Sequence, residues 1–501
     1  MSQNPSGPGQ EITLESIQNF TGKYPRQLWY LFSIEMWERF CFYGMRGMLA
    51  VFMVEKLLME DGAVNLQYGA IQAFIYIFTF VGGFFADKIL GFRKSLFWGG
   101  ALMAVGGFSI AAAPADMFYI GTCFTIIGTG FFKPNISTMV GYLYKEGDSR
   151  RDAGFSLFYA GINLGALLGG ILMIWVGKYY SWGLAFALVG IVMLISITTL
   201  YFTQKSFGPI GLSPLSPSLS PQKRRTYEIA TYVGSLAIMP LILILIKNTH
   251  YTDMFMLIAG PLTLLYVFYE MTHHTWEENK KLIAALVFIV FSILFWAFFE
   301  QSGGSLSLFA LNNIKHNFLG IPMDPNIVNN SSNSLFVIIF APLLGLLWVW
   351  LSKRKIEPNS VLKFGLGFLL LGLGFYVFYS TVGVATPDGM TSLEIFTLAY
   401  FVVTFAELCV SPIGLSLMTK LSPNRMQGLM MGMWFLASGY GQYVAGLLGH
   451  GMSVPGTDAS AMEKLIAFTS GYKQLAIYAL IAGVALLALA PLVRRLMGST
   501  K

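Results

Sequence analysis

Seven ionisable side chains stand inside long apolar runs of this chain: four acids (Glu35, Glu38, Glu300, Glu407) and three bases (Arg39, Arg46, Lys133). At mid-bilayer an ionised group costs about 2.5–3.5 kcal/mol on insertion scales, so such groups face a cavity, pair with one another and mark ion or substrate pathways. With all seven ionised the set carries a net −1, which one bound proton neutralises. Desolvation disfavours the charged form of a buried carboxylate. The chemistry these residue types can do is to carry a proton and to grip a charged solute. At about 100° per residue, Glu35, Glu38, Arg39, Phe42 and Arg46 fall in a sector of roughly 100° on one helix. That face reads as the wall of a wet central cavity. Lys133 lies in GTGFFKPNIS, where Pro134 removes a helical hydrogen bond and lets the backbone bend. Glu300 ends FSILFWAFFE, and Glu407 interrupts FVVTFAELCVSPIG. Static salt bridges between helices are the plainer alternative, most natural for Glu35 and Arg39, an i,i+4 pair.

The elements that must position these groups follow from composition. Of 501 residues, 11% are charged and 55% hydrophobic, against about 25% charged in a soluble domain. The mean hydropathy is +0.63. Lipid is the solvent for most of the chain, and each span needs about 20 apolar residues. Spans are predicted near 28–55, 66–86, 95–113, 117–143, 153–176 and 182–203, then 227–247 and 252–271, then 282–312, 333–351, 361–381, 392–419, 426–450 and 470–493. Residues 204–226, with SPLSPSLSPQKRR, form a loop, and HHTWEENKK closes the insert. The expected organisation is an N-terminal segment 1–26, a six-helix bundle 27–203, a linker 204–281 with two extra transmembrane helices, a second six-helix bundle 282–493 and a tail 494–501. With both termini cytoplasmic, 23 Lys and Arg fall on inner segments, including Arg425 and Lys501, six on outer ones and three inside spans. That is the positive-inside bias, and it explains the net charge of +7 without nucleic acid.

Other chemistries find no support. Cys41, Cys123 and Cys409 lie in apolar runs without metal spacing, and the five histidines are scattered, so no metal site is predicted. Gly128-Thr129-Gly130 has no preceding strand and is not a nucleotide loop. Residues 1–26 are polar and contain no signal peptide, so the first helix serves as its own insertion signal. Gly161, Gly165 and Gly169, four apart, suit close helix approach in lipid, as does the cluster Gly365 to Gly374.

Two six-span halves around a polar linker suggest a repeat-built transporter. GGFFADKILGFRK, with Gly83, Asp87, Gly91 and Arg93, resembles the loop signature of the major facilitator superfamily. Glu35-Met36-Trp37-Glu38-Arg39-Phe40-Cys41-Phe42-Tyr43-Gly44 resembles the first-helix motif of the proton-dependent oligopeptide transporter (POT) family, prokaryotic type. Phe42 departs from it, since the family usually has tyrosine there. FYAGINLG, FFKPNIS and ELCVSPIGLS are similar to further family segments. The resemblance implies an all-α membrane protein of the major facilitator fold, with two six-helix bundles and two inserted helices, 14 spans in total. It implies a proton-coupled symporter importing di- and tripeptides by alternating access, in the cell membrane, functional as a monomer, with the proton as coupling ion and no other cofactor. By the same resemblance Glu35, Glu38, Arg39 and Lys133 couple the proton. Arg46, Tyr43, Tyr76 and Lys133 take the peptide carboxylate, and Asn163 bonds the peptide backbone. Glu407, helped by Asn333, takes the amino group, Arg46 and Glu300 form a gate, and Trp296, Trp434 and Ser438 line the pocket.

The chemistry of a zwitterion agrees: a base and an acid grip the two ends of a short peptide, and side chains need only loose apolar pockets. A transporter of the same fold for an anion, a drug or another metabolite is the nearest rival. A membrane-embedded enzyme would need a nucleophile with its base or a metal cluster, and the sequence offers neither. A channel is the remaining alternative.

Overall fold

The computed structural model describes residues 12–411, 414–423, 426–456 and 459–498. Arg425, Lys501, residues 1–11 of the N-terminal segment, and Pro412 and Ile413 of the ELCVSPIGLS segment lie outside the described residues. Among the described residues eleven helices are long and apolar enough to cross a membrane. Three more, Arg26–Glu55, Phe118–Tyr142 and Gln427–Gly451, run 30, 25 and 25 residues and bring the spans to fourteen. Polar caps mark the entries to several. Ser220, Asn248, Thr275, Asp324, Asn359, Ser392 and Ser460 each accept a hydrogen bond from a backbone N–H in the first turn that follows, satisfying donors that the helix itself leaves free.

The described contacts group the chain into two compact units. One comprises the chain up to Phe42, Phe78–Gly169 and Gly183–Pro240. The other comprises Tyr43–Ile77, Gly170–Trp182 and the chain from Leu241 on. In the first, Arg151–Tyr179 closes on Arg26–Glu55 through the small residues expected to do so: a Cβ on Gly165 or Gly169 would overlap the Met36 or Phe40 carbonyl oxygen. In the same unit Arg93 is buried, and its Nε donates to the Ile210 carbonyl at 2.7 Å while its Nη2 donates to the Gly208 carbonyl. On the other flank of that loop Arg224 donates to the carbonyls of Leu215 and Ser216.

Four expectations change. The span expected over 282–312 is not one helix: Trp276–Phe299 passes through a 3-10 turn, Glu300–Gly303, before Ser305–Asn313. Gly303 and Gly304 favour the break, and a Cβ on Gly303 would overlap the Tyr68 hydroxyl. The span expected over 392–419 ends at Val410, two residues before Pro412, which has no N–H for the helical ladder. A separate helix, Gly414–Leu421, follows. The HHTWEENKK stretch is helical from Trp276, started by a capping box between Thr275 and Glu278. The loop at 204–226 narrows likewise, because Gln204–Phe207 is a 3-10 turn and Pro221 begins the insert.

Candidate functional site

In the first unit, Arg39 lies between two carboxylates. Its Nε is 2.9 Å from Glu35 Oε1 and 2.6 Å from Glu38 Oε2. The second Glu35 oxygen and Glu38 Oε1 are buried without a hydrogen-bond partner among the described residues. Lys133 is close enough for its charge to act on both acids. The Phe42 ring takes two cations: Lys133 Nζ is 5.2 Å from its centroid and the Arg39 guanidinium 5.3 Å. These are cation–π distances. Glu35, Glu38 and Arg39 are 3%, 0% and 2% exposed. The expectation of a wet wall is therefore corrected at these three positions, which are packed, with the Arg39 Cβ against Gly165. Asn163 is buried in the same unit, and its Nδ2 donates to the Tyr159 carbonyl one turn back at 3.0 Å.

The second unit gathers the other residues. Arg46 pairs through Nη2 with Glu300 Oε2, and its Nε donates to the Tyr68 hydroxyl at 2.6 Å. Tyr43, Tyr68 and Tyr76 all act on its charge, and the Tyr43 ring lies 5.9 Å from the guanidinium. The break after Phe299 makes Glu300 the C-cap residue of its helix and puts its carboxylate on Arg46. Glu407 accepts a hydrogen bond from Asn333 Nδ2 at 2.8 Å, and Ser411 Oγ lies 3.5 Å away. No Lys or Arg lies within 4.0 Å of Glu407 among the described residues, although Arg46 and Glu300 both act on its charge. Trp434 is buried, and the Ser438 hydroxyl donates to its carbonyl at 3.1 Å, so that group is engaged within its own helix. Trp296 stands edge-on to Phe295 and Phe299, both at 5.4 Å.

Sequence reasoning passed over several partners. Tyr68 and the pair Tyr400–Asn329, at 2.5 Å, are neutral residues with no motif to announce them. Two ion pairs of the second unit escaped because their charges flank spans. Lys178 Nζ is 2.6 Å from Asp324 Oδ2, which also accepts from the Tyr179 hydroxyl at 3.0 Å. Lys464 Nζ is 3.0 Å from Asp61 Oδ2, which accepts from Asn312 at 3.1 Å. Burial works to raise the Asp324 carboxyl, but the Lys178 ammonium and the hydrogen bonds from Lys178, Tyr179 and the Asn326 N–H outweigh it and hold it below the usual carboxylate range.

The model of the POT family matches residues 93–464. The chain belongs to the POT family. A peptide transporter of Yersinia enterocolitica subsp. palearctica is 32% identical over 95% of this chain and 96% of its own. A di-/tripeptide transporter of Lactococcus lactis is 31% identical over 84% and 88%. Among solved structures, a mutant POT peptide transporter in complex with alafosfalin matches with a TM-score of 0.84 at 31% identity, covering 97% of this chain and 100% of that one. This POT-family chain is thus a multi-pass membrane protein of a transporter family, not an enzyme.

Proposed function

We propose that this chain is a proton-coupled symporter that imports di- and tripeptides across the cell membrane by alternating access, with both termini cytoplasmic and a single chain as the transporting unit. The observation that carries the reading is Glu407: an acid met by the Asn333 amide and, among the described residues, by no base within 4.0 Å, in the same compact unit as Arg46. An ammonium group supplied by a solute is the partner that this carboxylate lacks. Arg46, with Tyr43 and Tyr76 around it, is suited to a carboxylate, and Lys133 is assigned to the same end. Trp296, Trp434 and Ser438 are assigned to the pocket walls, and Asn163 to the peptide backbone through its side-chain oxygen. Arg46 and Glu300 also serve as a gate: a peptide carboxylate competes with Glu300 for the guanidinium, and releasing the pair shifts a conformational equilibrium. Proton coupling is assigned to Glu35 and Glu38 with Arg39 and Lys133, because two acids sharing one guanidinium can give it up one at a time.

The relatives' names as peptide and di-/tripeptide transporters support the substrate class. The test is uptake of a labelled dipeptide into proteoliposomes under an inward proton gradient. The expected result is accumulation that the gradient drives and that unlabelled di- and tripeptides inhibit. Free amino acids, end-blocked peptides and nitrate are expected to compete poorly. Uptake indifferent to the gradient overturns the coupling, and inhibition by nitrate alone overturns the substrate.

A further inference from the structure

Three residues other than glycine adopt a positive φ among the described residues: Leu58 at 53°, Leu319 at 50° and Lys355 at 60°. L-residues enter that region at a cost, and Gly or Asn normally fill it. Leu58 and Leu319 are also 78% and 75% exposed, the highest values of any leucine in the described chain. A leucine held in an unfavourable backbone conformation and turned outward is doubly costly in water, and an observed outlier of this kind points to a function.

Both leucines sit at corresponding places. Leu58 lies in the short loop between Glu55 and Asp61, after the first span. Leu319 lies between Asn313 and Pro325, after the ninth. Odd-numbered spans end on one side, so alternation puts both loops on the same side of the membrane. Leu58 is three residues past its helix, which keeps it within about 10 Å of the helix end. Leu319 and Gly320, at φ 50° and 88°, are the central residues of a tight hairpin between Asn317–Phe318 and Ile321–Pro322. That turn suits Asn-Gly. Side chains fix its backbone, one from outside the hairpin and one from within: the Leu319 N–H donates to Glu394 Oε1 at 2.9 Å and the Gly320 N–H to Asn317 Oδ1 at 2.8 Å. In the other loop the Met59 N–H donates to the Met53 carbonyl at 3.1 Å. Beside the apolar tips stand Lys56 and Lys315, both exposed, with Ile321 exposed on the hairpin as well.

We propose that these two loops are interfacial anchors, with Leu58 and Leu319 seated at the boundary between headgroups and acyl chains of the leaflet they face. Lys56 and Lys315 lie at the level of the lipid phosphates. The apolar tips match the acyl boundary, and the lysine stems can lie along it with their ammonium groups at headgroup level. Each tip lies shortly before an acid of one of the peripheral ion pairs, Asp61 in the first loop and Asp324 in the second. The anchors therefore hold these ion pairs at a fixed depth. The inference does not depend on which solute the protein carries.

The experiment is nitroxide labelling of full-length Leu58→Cys and Leu319→Cys proteins in lipid nanodiscs; Cys41, Cys123 and Cys409 are buried and label poorly. Collision with oxygen, which concentrates in lipid, is expected to exceed collision with a water-soluble nickel chelate at both sites. Greater access for the nickel complex overturns the proposal in favour of plain water exposure. Access for neither overturns it in favour of a protein cover, such as a second copy of the chain. As an independent measure, Leu58→Asn and Leu319→Asn in detergent are expected to raise the melting temperature by a few degrees, because the backbone strain is released. A melting temperature at or below that of the parent overturns the strain argument on which the proposal rests.

Discussion

The acids of the first span and the acid of Leu393–Val410 are held in contrasting company. Glu35 and Glu38 share one guanidinium, with Lys133 nearby, so four ionised groups sum to zero where they meet. Arg46 and Glu300 likewise cancel. Among the described residues Glu407 has an amide and a hydroxyl beside it and no base within 4.0 Å, so it holds the net negative charge of the whole set. The difference teaches that the two regions are built for different guests. A crowded, internally balanced cluster responds to a proton, which unbalances it. A carboxylate left with neutral donors responds to a cation, which balances it.

The largest effect should come from the crowded side. Glu38→Gln removes one acid from the shared guanidinium, and gradient-driven accumulation is expected to vanish while exchange of labelled for unlabelled peptide survives; uphill uptake at the parent level would break the comparison. Next is the balanced pair. Arg46→Gln or Glu300→Gln alone leaves a buried unpaired charge and is expected to cost about 3–5 kcal/mol of stability. The double substitution should recover much of that loss in a thermal-stability assay, whereas additive losses would show that the two groups act separately. Glu407→Ala removes one charged contact to the ligand, typically about 1.5–3 kcal/mol, so dipeptide affinity in a competition assay should fall by roughly 10–100-fold. Unchanged affinity would remove the assignment of the ammonium to this acid. The smallest effect concerns Asp324. Asn caps a helix as well as Asp does, so Asp324→Asn isolates the ion pair with Lys178; because the Asn oxygen can still accept from Lys178 and Tyr179, no partner is stranded and the expected stability loss is about 1 kcal/mol. Because pairing holds the folded carboxyl below its unfolded value of about 3.9, its contribution is complete above that pH and fades only as the pH drops through the lower folded value. The gap in melting temperature between parent and variant should therefore stay constant from pH 8 to pH 5. A gap that closes near pH 6 would make this ion pair a second proton sensor.

Span number and position were legible because twenty apolar residues in a row leave a mark that local context does not erase. The seven interior charges were legible for the same reason, and Glu38, Arg39 and Lys133 needed only helical spacing and motif resemblance to be singled out. What was not legible depends on contacts between distant segments. The turn at Glu300 arises where Gly303 admits Tyr68 from another helix, and nothing within 282–312 records that. Glu35 and Glu38 are buried, with Lys133 brought close from another span, whereas one-helix geometry reads their side as an open face. Lys178 and Asp324 are separated by 146 residues, and a lysine beside a span looks the same whether or not it has a partner.

The clasped loop ahead of the insert has a practical consequence. Arg93 ties Gly208 and Ile210, the Ser213 hydroxyl donates to the Ile89 carbonyl at 2.5 Å, and Arg224 ties Leu215 and Ser216. Each bank of the Pro214 position is moored by side chains rather than by the peptide bond that joins them. Across that position Lys94 pairs with Glu228 and Trp98 Nε1 donates to the Ser235 hydroxyl at 3.0 Å, so severing the polypeptide there should leave both fragments in register, and two separately expressed pieces are expected to reassemble into one working protein.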